Sequence, residues 1–248
     1  MTYYGVITIC LNSESTIRRT IESVLSQNLL PDEYVFVDGG STDQTVDIIK
    51  DAIRSAEQKK KGIKFELLTQ HAHGGIAEAW NIGLNRLSTD IVFILNSDDW
   101  YEEDTAEKII THFNDNKHID IILGSARCFN KTNNAPAGVY KSKSFLLLPF
   151  LMPAVHPACF VKKAVYQENG LFDERYKVAA DYDFIYRCHR SSVIFMNIDD
   201  VVTNMESGGY ASKNKAISRK ELLEIGLKHG NNPILPRVAY LMRVLLNR

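Results

Sequence analysis

The stretch Ile91-Val92-Phe93-Ile94-Leu95-Asn96-Ser97-Asp98-Asp99-Trp100 decides the fold, because an apolar, β-branched run ends abruptly in two adjacent carboxylates. Such a run reads as a buried strand that delivers two acids to one edge of a sheet. Burying an unpaired carboxylate is costly, so paired acids in that position call for a cation, a set of donors or ligand hydroxyls. Oxygen-only ligation of this kind suits a hard divalent ion such as Mg²⁺ or Mn²⁺. The plainer reading is a strand-ending turn with solvated acids.

Upstream of this stretch, strands and helices alternate. Residues 4–11 read as a buried strand, followed by a helix with Ile17, Ile21, Val24 and Leu25 on one face. Residues 33–38 form a second strand that again ends on a carboxylate, Asp38, before the Gly39-Gly40 turn. The next helix opens with capping-box spacing from Ser41 to Gln44. A third strand at 64–68 and a helix after Gly74-Gly75 lead into the opening strand. This alternation predicts an α/β fold with a doubly wound, mostly parallel sheet, helices on both faces, and ligands beyond the carboxyl ends of the strands. Asp38, Asp98 and Asp99 therefore share one edge.

Downstream, a helix at 104–113 and a strand at 119–123 continue the pattern before the rhythm changes. Residues 131–138 read as a polar turn, and 144–153 as an apolar, Pro-punctuated loop packed over the site or facing something greasy. Helices are expected at 162–169 and from Ala179 through Arg190, with Asp181 near the N-terminus of the second. Residues 207–210 read as a flexible loop. Helices at 219–227 and 237–248 make a C-terminal extension, the last one apolar with basic ends.

The 248 residues are 45% hydrophobic and 24% charged with a formal net charge of −1, an ordinary globular composition. Phosphate neutralisation needs a basic excess or stripe, so nucleic-acid binding is excluded as a role. Cys10, Cys128, Cys159 and Cys188 sit among apolar neighbours without Cys-x-x-Cys spacing, which favours buried, reduced thiols and a cytoplasmic location. The chain enters its first strand directly and has no apolar run of ~18 residues, so neither secretion by a signal peptide nor membrane insertion is expected.

Taken in order, four motifs resemble the inverting family-2 nucleotide-sugar glycosyltransferases with the GT-A fold. They are Thr8 with Asn12, Glu14 and the residues 23–27 helix end; Val37-Asp38-Gly39-Gly40-Ser41-Thr42-Asp43; Asn96-Ser97-Asp98-Asp99; and Phe172-Asp173-Glu174 followed by Asp181-Tyr182-Asp183. The resemblance divides the chain into a catalytic domain at 1–205, with a nucleotide-sugar half at 1–125 and an acceptor half at 126–205, and C-terminal elements at 206–248. It implies transfer of a single sugar from a UDP-, dTDP- or GDP-sugar to a glycan or polyprenyl-diphosphate-linked acceptor, with inversion, in bacterial surface polysaccharide synthesis.

The resemblance also distributes roles. Thr8, Asn12, Glu14 and Ser41 line the base and ribose pocket, and Asp38 accepts a hydrogen bond from a base N–H, the one service a carboxylate offers there. An Asx turn before Gly39-Gly40 is the other reading of Asp38. Asp98 contacts the ribose and Asp99 holds the Mn²⁺ or Mg²⁺ that bridges the donor diphosphate, with Asn96 standing where many relatives carry Asp. Asp181 falls on the catalytic base and Asp183 is its competitor. His156 is placed to touch phosphate or acceptor, or is a satisfied loop histidine, and Trp100 to touch donor or acceptor, or to pack. A sugar nucleotidyltransferase lacks its Gly-rich phosphate loop here, and a non-catalytic subunit is at odds with the retention of Asp38, Asp99 and Asp181. The apolar 145–152 patch and the last helix fit peripheral contact at the inner face of the membrane, a homodimer or simple packing equally well.

Overall fold

The computed structural model describes residues 2–70 and 74–246. Strands β1 (Tyr4–Cys10), β2 (Glu33–Asp38), β3 (Lys64–Thr69) and β4 (Ile91–Ile94) alternate with helices α1 (Ile17–Leu25), α2 (Thr45–Gln58) and α3 (Ile76–Arg86). β5 (Trp100–Tyr101), α4 (Thr105–Asp115), β6 (Ile121–Phe129), β7 (Pro136–Tyr140), β8 (Cys159–Lys162), α5 (Lys163–Asn169), α6 (Ala180–His189) and β9 (Phe195–Glu206) follow. The chain continues through α7 (Tyr210–Lys213), α8 (Lys215–His229) and α9 (Ile234–Leu245). The expected last helix thus begins earlier, and its final two residues lie outside the described ones.

The strands make one nine-stranded sheet in the order β3-β2-β1-β4-β8-β6-β9-β5, with β7 paired to β6. The pairs β2–β3, β1–β2 and β1–β4 are parallel, as the strand–helix alternation requires. Beyond β4 the sheet becomes mixed: β8 runs antiparallel to both β4 and β6, whereas β6 and β9 are parallel. β6 crosses residue 125, so the two expected halves share one sheet. The polar turn expected at 131–138 is shorter, because Pro136–Tyr140 folds back on β6 as an exposed edge strand.

Alternation along the strands separates two cores. Ile7, Val35, Val37, Val92 and Ile94 face α3, α5 and α6 in one cluster, while Tyr4, Val6, Tyr34, Phe36 and Phe93 face α1 and α4 in the other. α3 lies so close to β1 that a Cβ on Gly83 would meet Ile7 Cγ2 at 2.5 Å. All four cysteines are buried and unpaired, and among the described residues no helix is long and apolar enough to cross a membrane.

Candidate active site

The loops after β1 and β2 are laced together by the residues singled out for nucleotide binding. Asn12, in the left-handed region at φ 48°, accepts from Thr42 N–H at 2.9 Å and gives its own N–H to Ser41 Oγ at 2.9 Å. Glu14 accepts from Gln44 N–H at 3.0 Å while its own N–H donates to Asp43 at 3.1 Å. The capping box from Ser41 to Gln44 does not form. Ser41 Oγ instead donates to Asp38 Oδ1 at 2.5 Å, and Asp43 Oδ1 accepts from both the N–H and the hydroxyl of Thr45 at the start of α2.

Asp38 closes an Asx-type turn: Oδ2 accepts from Gly40 N–H and Ser41 N–H, both at 3.0 Å. Gly40, at φ +90°, supplies the left-handed conformation this turn needs. A carboxylate has about four lone-pair sites; three are filled by strong donors and the Cys10 thiol approaches Oδ1 at 3.7 Å as a weak fourth, the one a stronger donor could displace. Thr8 is fully buried, its hydroxyl 3.1 Å from that of Tyr34. It underlies the pocket instead of lining it, because its place in the β1 alternation points it into the core with Tyr4 and Val6.

The turn after β4 joins this network through Ser97 Oγ, 2.8 Å from Ser13 Oγ. Asp98 is half-buried, and its carbonyl accepts from Arg19 at 3.1 Å. Asp99 is buried with a single amide donor, Asn96 Nδ2, at 3.4 Å. Desolvation first, and the neighbouring Asp98 second, push its carboxyl well above the usual carboxylate range. Among the described residues no group of three His, Cys, Asp or Glu side chains is arranged to hold a metal. A buried carboxylate that lacks a cation nonetheless fits a site completed by ligand phosphate, which needs only one or two protein carboxylates. Trp100 is not open to a sugar on both faces, since the Arg19 guanidinium lies 3.7 Å over its ring and Phe129 packs at 5.2 Å.

A chain of contacts leads from Asp99 to the first turn of α6. Asn96 Oδ1 accepts from the Trp80 indole N–H at 3.4 Å, and Trp80 stacks on His156 at 4.1 Å. His156 and Asp181 in turn line one small cavity with Ile94, Cys159, Tyr166 and Phe172, of about 10 Å³, room for about one water. Burial drops the His156 pKa to about 3, so it is neutral at physiological pH and no cationic phosphate ligand. Its Nδ1 is buried without a partner, so it is not the satisfied loop histidine either.

Asp181 and Asp183, two residues apart, have opposite environments. Among the described residues Asp181 accepts from Tyr182 N–H, at 2.8 Å, and burial pushes its carboxyl up to about 6 despite backbone hydrogen bonding, with a small contribution from Glu221. Asp183 is 0% exposed and held by two cations, Arg187 Nε at 2.8 Å and Lys228 Nζ at 3.2 Å, and by the His229 ring Nε2 at 2.8 Å. Those hydrogen bonds outweigh its desolvation and hold it down at about 2. Asp183 is thereby removed as a candidate base; it ties α6 to α8.

Two site-forming residues escape a motif reading. Asn81 on α3 is bonded both ways to Phe172, donating to its carbonyl at 2.9 Å and accepting its N–H at 3.0 Å, and it donates to Glu174 at 2.9 Å. Glu221 on α8 accepts from three successive N–H groups, Lys177 at 2.8 Å and Val178 and Ala179 at 2.9 Å, and so fixes the segment that enters α6 just before Asp181. The sequence signal was a polar residue on an apolar helix face, Asn81 beside Ala77, Trp80 and Leu84, and Glu221 one turn before Ile225. Charged-acceptor hydrogen bonds contribute about 1.5–3 kcal/mol each, so Glu221→Ala is expected to lower unfolding stability by about 3 kcal/mol or more in denaturant titrations. A midpoint unchanged from wild type would show that solvent replaces the clamp.

A nine-stranded sheet whose carboxyl edge gathers interlocked loops and an acidic pair is consistent with the GT-A fold. Residues 5–170 match the glycosyl transferase family 2, and the chain belongs to that family. A PGL/p-HBAD biosynthesis glycosyltransferase of Mycobacterium bovis BCG is 25% identical over 224 residues, 89% of this chain and 82% of that protein. A poly-β-1,6-N-acetyl-D-glucosamine synthase of Staphylococcus epidermidis is 29% identical over 124 residues, 50% of this chain and 28% of the synthase. Among solved structures, S. aureus TarS 1-349 in complex with UDP-GlcNAc shares the fold with TM-score 0.67 at 19% identity, over 96% of this chain and 70% of that one. The chain spans 43% of the longer TarS chain. The mannosyltransferase PcManGT of Pyrobaculum calidifontis, in complex with GDP-Man and Mn²⁺, gives TM-score 0.63 at 17% identity, over 98% of this chain and 69% of that one.

Proposed function

We propose that this glycosyltransferase moves a single sugar from a nucleoside-diphosphate sugar to an acceptor hydroxyl on a surface glycan or its lipid-linked precursor, with inversion. The observation that carries the reading is the contrast between Asp181 and Asp183. One carboxylate, without a cation among the described residues and tuned to about 6, lines a cavity; the other is consumed by structure. General-base chemistry works best with a pKa near the operating pH.

In this mechanism the donor's nucleoside lies against the interlocked β1 and β2 loops, and Asp38 Oδ1 accepts an N–H of uracil, thymine or guanine in place of the weak Cys10 thiol donor. Asp98 contacts the ribose, and Asp99 would hold Mg²⁺ or Mn²⁺, which bound there would neutralise charge on the departing diphosphate. Asp181 takes the proton of the acceptor hydroxyl as that oxygen bonds the anomeric carbon. The carbon–oxygen bond to the diphosphate breaks on the opposite face, and the nucleoside diphosphate leaves with the electron pair. One displacement inverts the anomeric configuration. The solved neighbours with UDP-GlcNAc and GDP-Man support a sugar nucleotide as donor, and the PGL/p-HBAD and poly-N-acetylglucosamine relatives support a surface-glycan acceptor.

The test is nucleoside diphosphate release from UDP-, dTDP- and GDP-sugars with each divalent ion or excess chelator, with proton NMR of the new linkage. Asp99→Asn is expected to stay folded, since it removes a buried acid that makes no ion pair among the described residues. It should lose the ion-dependent thermal stabilisation by nucleoside diphosphate and turn over about 10²-fold or more slowly. Full wild-type turnover in excess chelator, or a retained anomeric configuration, would refute the metal or the displacement half respectively.

A further inference from the structure

Helix α9 turns an apolar stripe outward. Pro236 and Ala239 are buried, Pro236 against Gly226 of α8, so this face is the one docked on the protein. Ile234, Val238, Leu241 and Leu245 recur at the spacing of a single helix face and are 63%, 41%, 58% and 83% exposed. Met242 and Leu246 widen the stripe. Beside it runs a groove of about 580 Å³ whose apolar wall includes Phe150, Leu151, Leu222 and Met242, and the loop that supplies Phe150 also presents Leu146, 86% exposed.

Among the described residues that form α9 and line the groove, the charged side chains are all cations. α9 carries Arg237 and Arg243 and no carboxylate, and Lys215, Arg219 and Arg243 line the groove. Arg243 is half-buried, burial lowers its pKa, and among the described residues no carboxylate pairs with it; the group that faces it is the Tyr182 phenol. A guanidinium desolvated at the mouth of an apolar groove is matched by a phosphate above an alkyl chain.

We infer that α9 and the adjoining groove are a docking surface for an anionic lipid bilayer, with the stripe in the acyl region and Arg243 on a lipid phosphate. A second copy of the chain fits less well, because stripe-to-stripe pairing would set Arg237 and Arg243 against their own kind. An amphipathic helix with cations beside an exposed apolar face is the ordinary architecture of interfacial binding. Tyr182 connects the surface to chemistry: it neighbours Asp181 on α6 and its hydroxyl donates to the Leu148 carbonyl in the groove-forming loop. An acceptor embedded in the same bilayer is thus presented near Asp181, a consequence that rests on the proposed function, whereas lipid binding itself does not.

Flotation of the full chain with vesicles of phosphatidylcholine alone and of phosphatidylcholine with phosphatidylglycerol tests the inference without any donor. Wild type should float with the phosphatidylglycerol vesicles and be released by salt. Leu241→Glu with Leu245→Glu should lower partitioning ~10-fold or more, and Arg243→Gln should reduce the salt dependence. Both variants should keep the wild-type thermal midpoint and rate of donor hydrolysis. The inference is overturned by absent binding to phosphatidylglycerol vesicles, by binding the double variant retains, or by a wild-type dimer that the double variant dissociates. Vesicle binding by a protein inactive on every sugar nucleotide would leave it standing and sink the catalytic reading instead.

Discussion

Asp181→Asn is expected to turn over about 10²–10⁴-fold more slowly while binding donor and metal as wild type does, because general-base catalysis contributes a factor of that size only in the transition state. The amide preserves the local fold: Asn Oδ1 still accepts the Tyr182 N–H that Asp181 Oδ1 accepts at 2.8 Å. It loses only the ability to take a proton. Stability separates this from a folding defect. The folded state holds the Asp181 proton more tightly than the unfolded chain, with a pKa of about 6, so ionising it costs stability as pH rises from about 4 to 6. The Asn variant should therefore be at least as stable as wild type at neutral pH. Wild-type kcat/KM should fall about tenfold per pH unit below about 6, and this limb should vanish from the variant's residual activity. A near-normal rate for Asp181→Asn would remove it as the base.

Asp183→Ala should do the reverse, losing stability while each folded molecule keeps its donor affinity. Deleting one member of a buried ionic cluster leaves the others uncompensated, at a cost of about 3–5 kcal/mol, and here Arg187, Lys228 and His229 all lose their shared partner. Since α8 also carries Glu221, the segment before Asp181 should loosen as well. The linkage has the opposite sign to that of Asp181. The folded pKa of about 2 lies below the unfolded value of about 3.9, so the contribution of Asp183 is present above about pH 4 and lost as pH falls through 2. Chemical denaturation at pH 7 and pH 3 checks this; equal midpoints for wild type and variant at pH 7 would show that the cluster is neutral in net energy.

Opposite roles for two acids in one Asp-Tyr-Asp motif mark the limit of a linear reading. The alternation of strands and helices to β4 was legible, because period-2 and period-3.6 hydrophobicity are local consequences of which side of each element is buried. The edge that gathers Asp38, Asp98 and Asp99 followed from it. The second half was less so. β9 mixes exposed and buried residues without a clean period, and β5 has only two residues, so pairing with distant strands defines both. Thr8 and Ser41 illustrate the same limit at the site, one turned into the core and the other drawn to Asp38, since nothing local shows which hydroxyl the fold will occupy.

Local pattern was enough for the order of elements to β4, the acidic turn that follows it and the placement of Asp181 in the first turn of a helix. Only the tertiary structure decided which carboxylate stays available. α8 lies more than thirty residues downstream of Asp181 and Asp183, yet its His229 and Lys228 hydrogen-bond Asp183 while its Glu221 anchors the approach to Asp181. The physical reason is that a carboxylate's charge state depends on desolvation and on the donors that reach it in space, and neither quantity is a property of neighbouring residues in the chain.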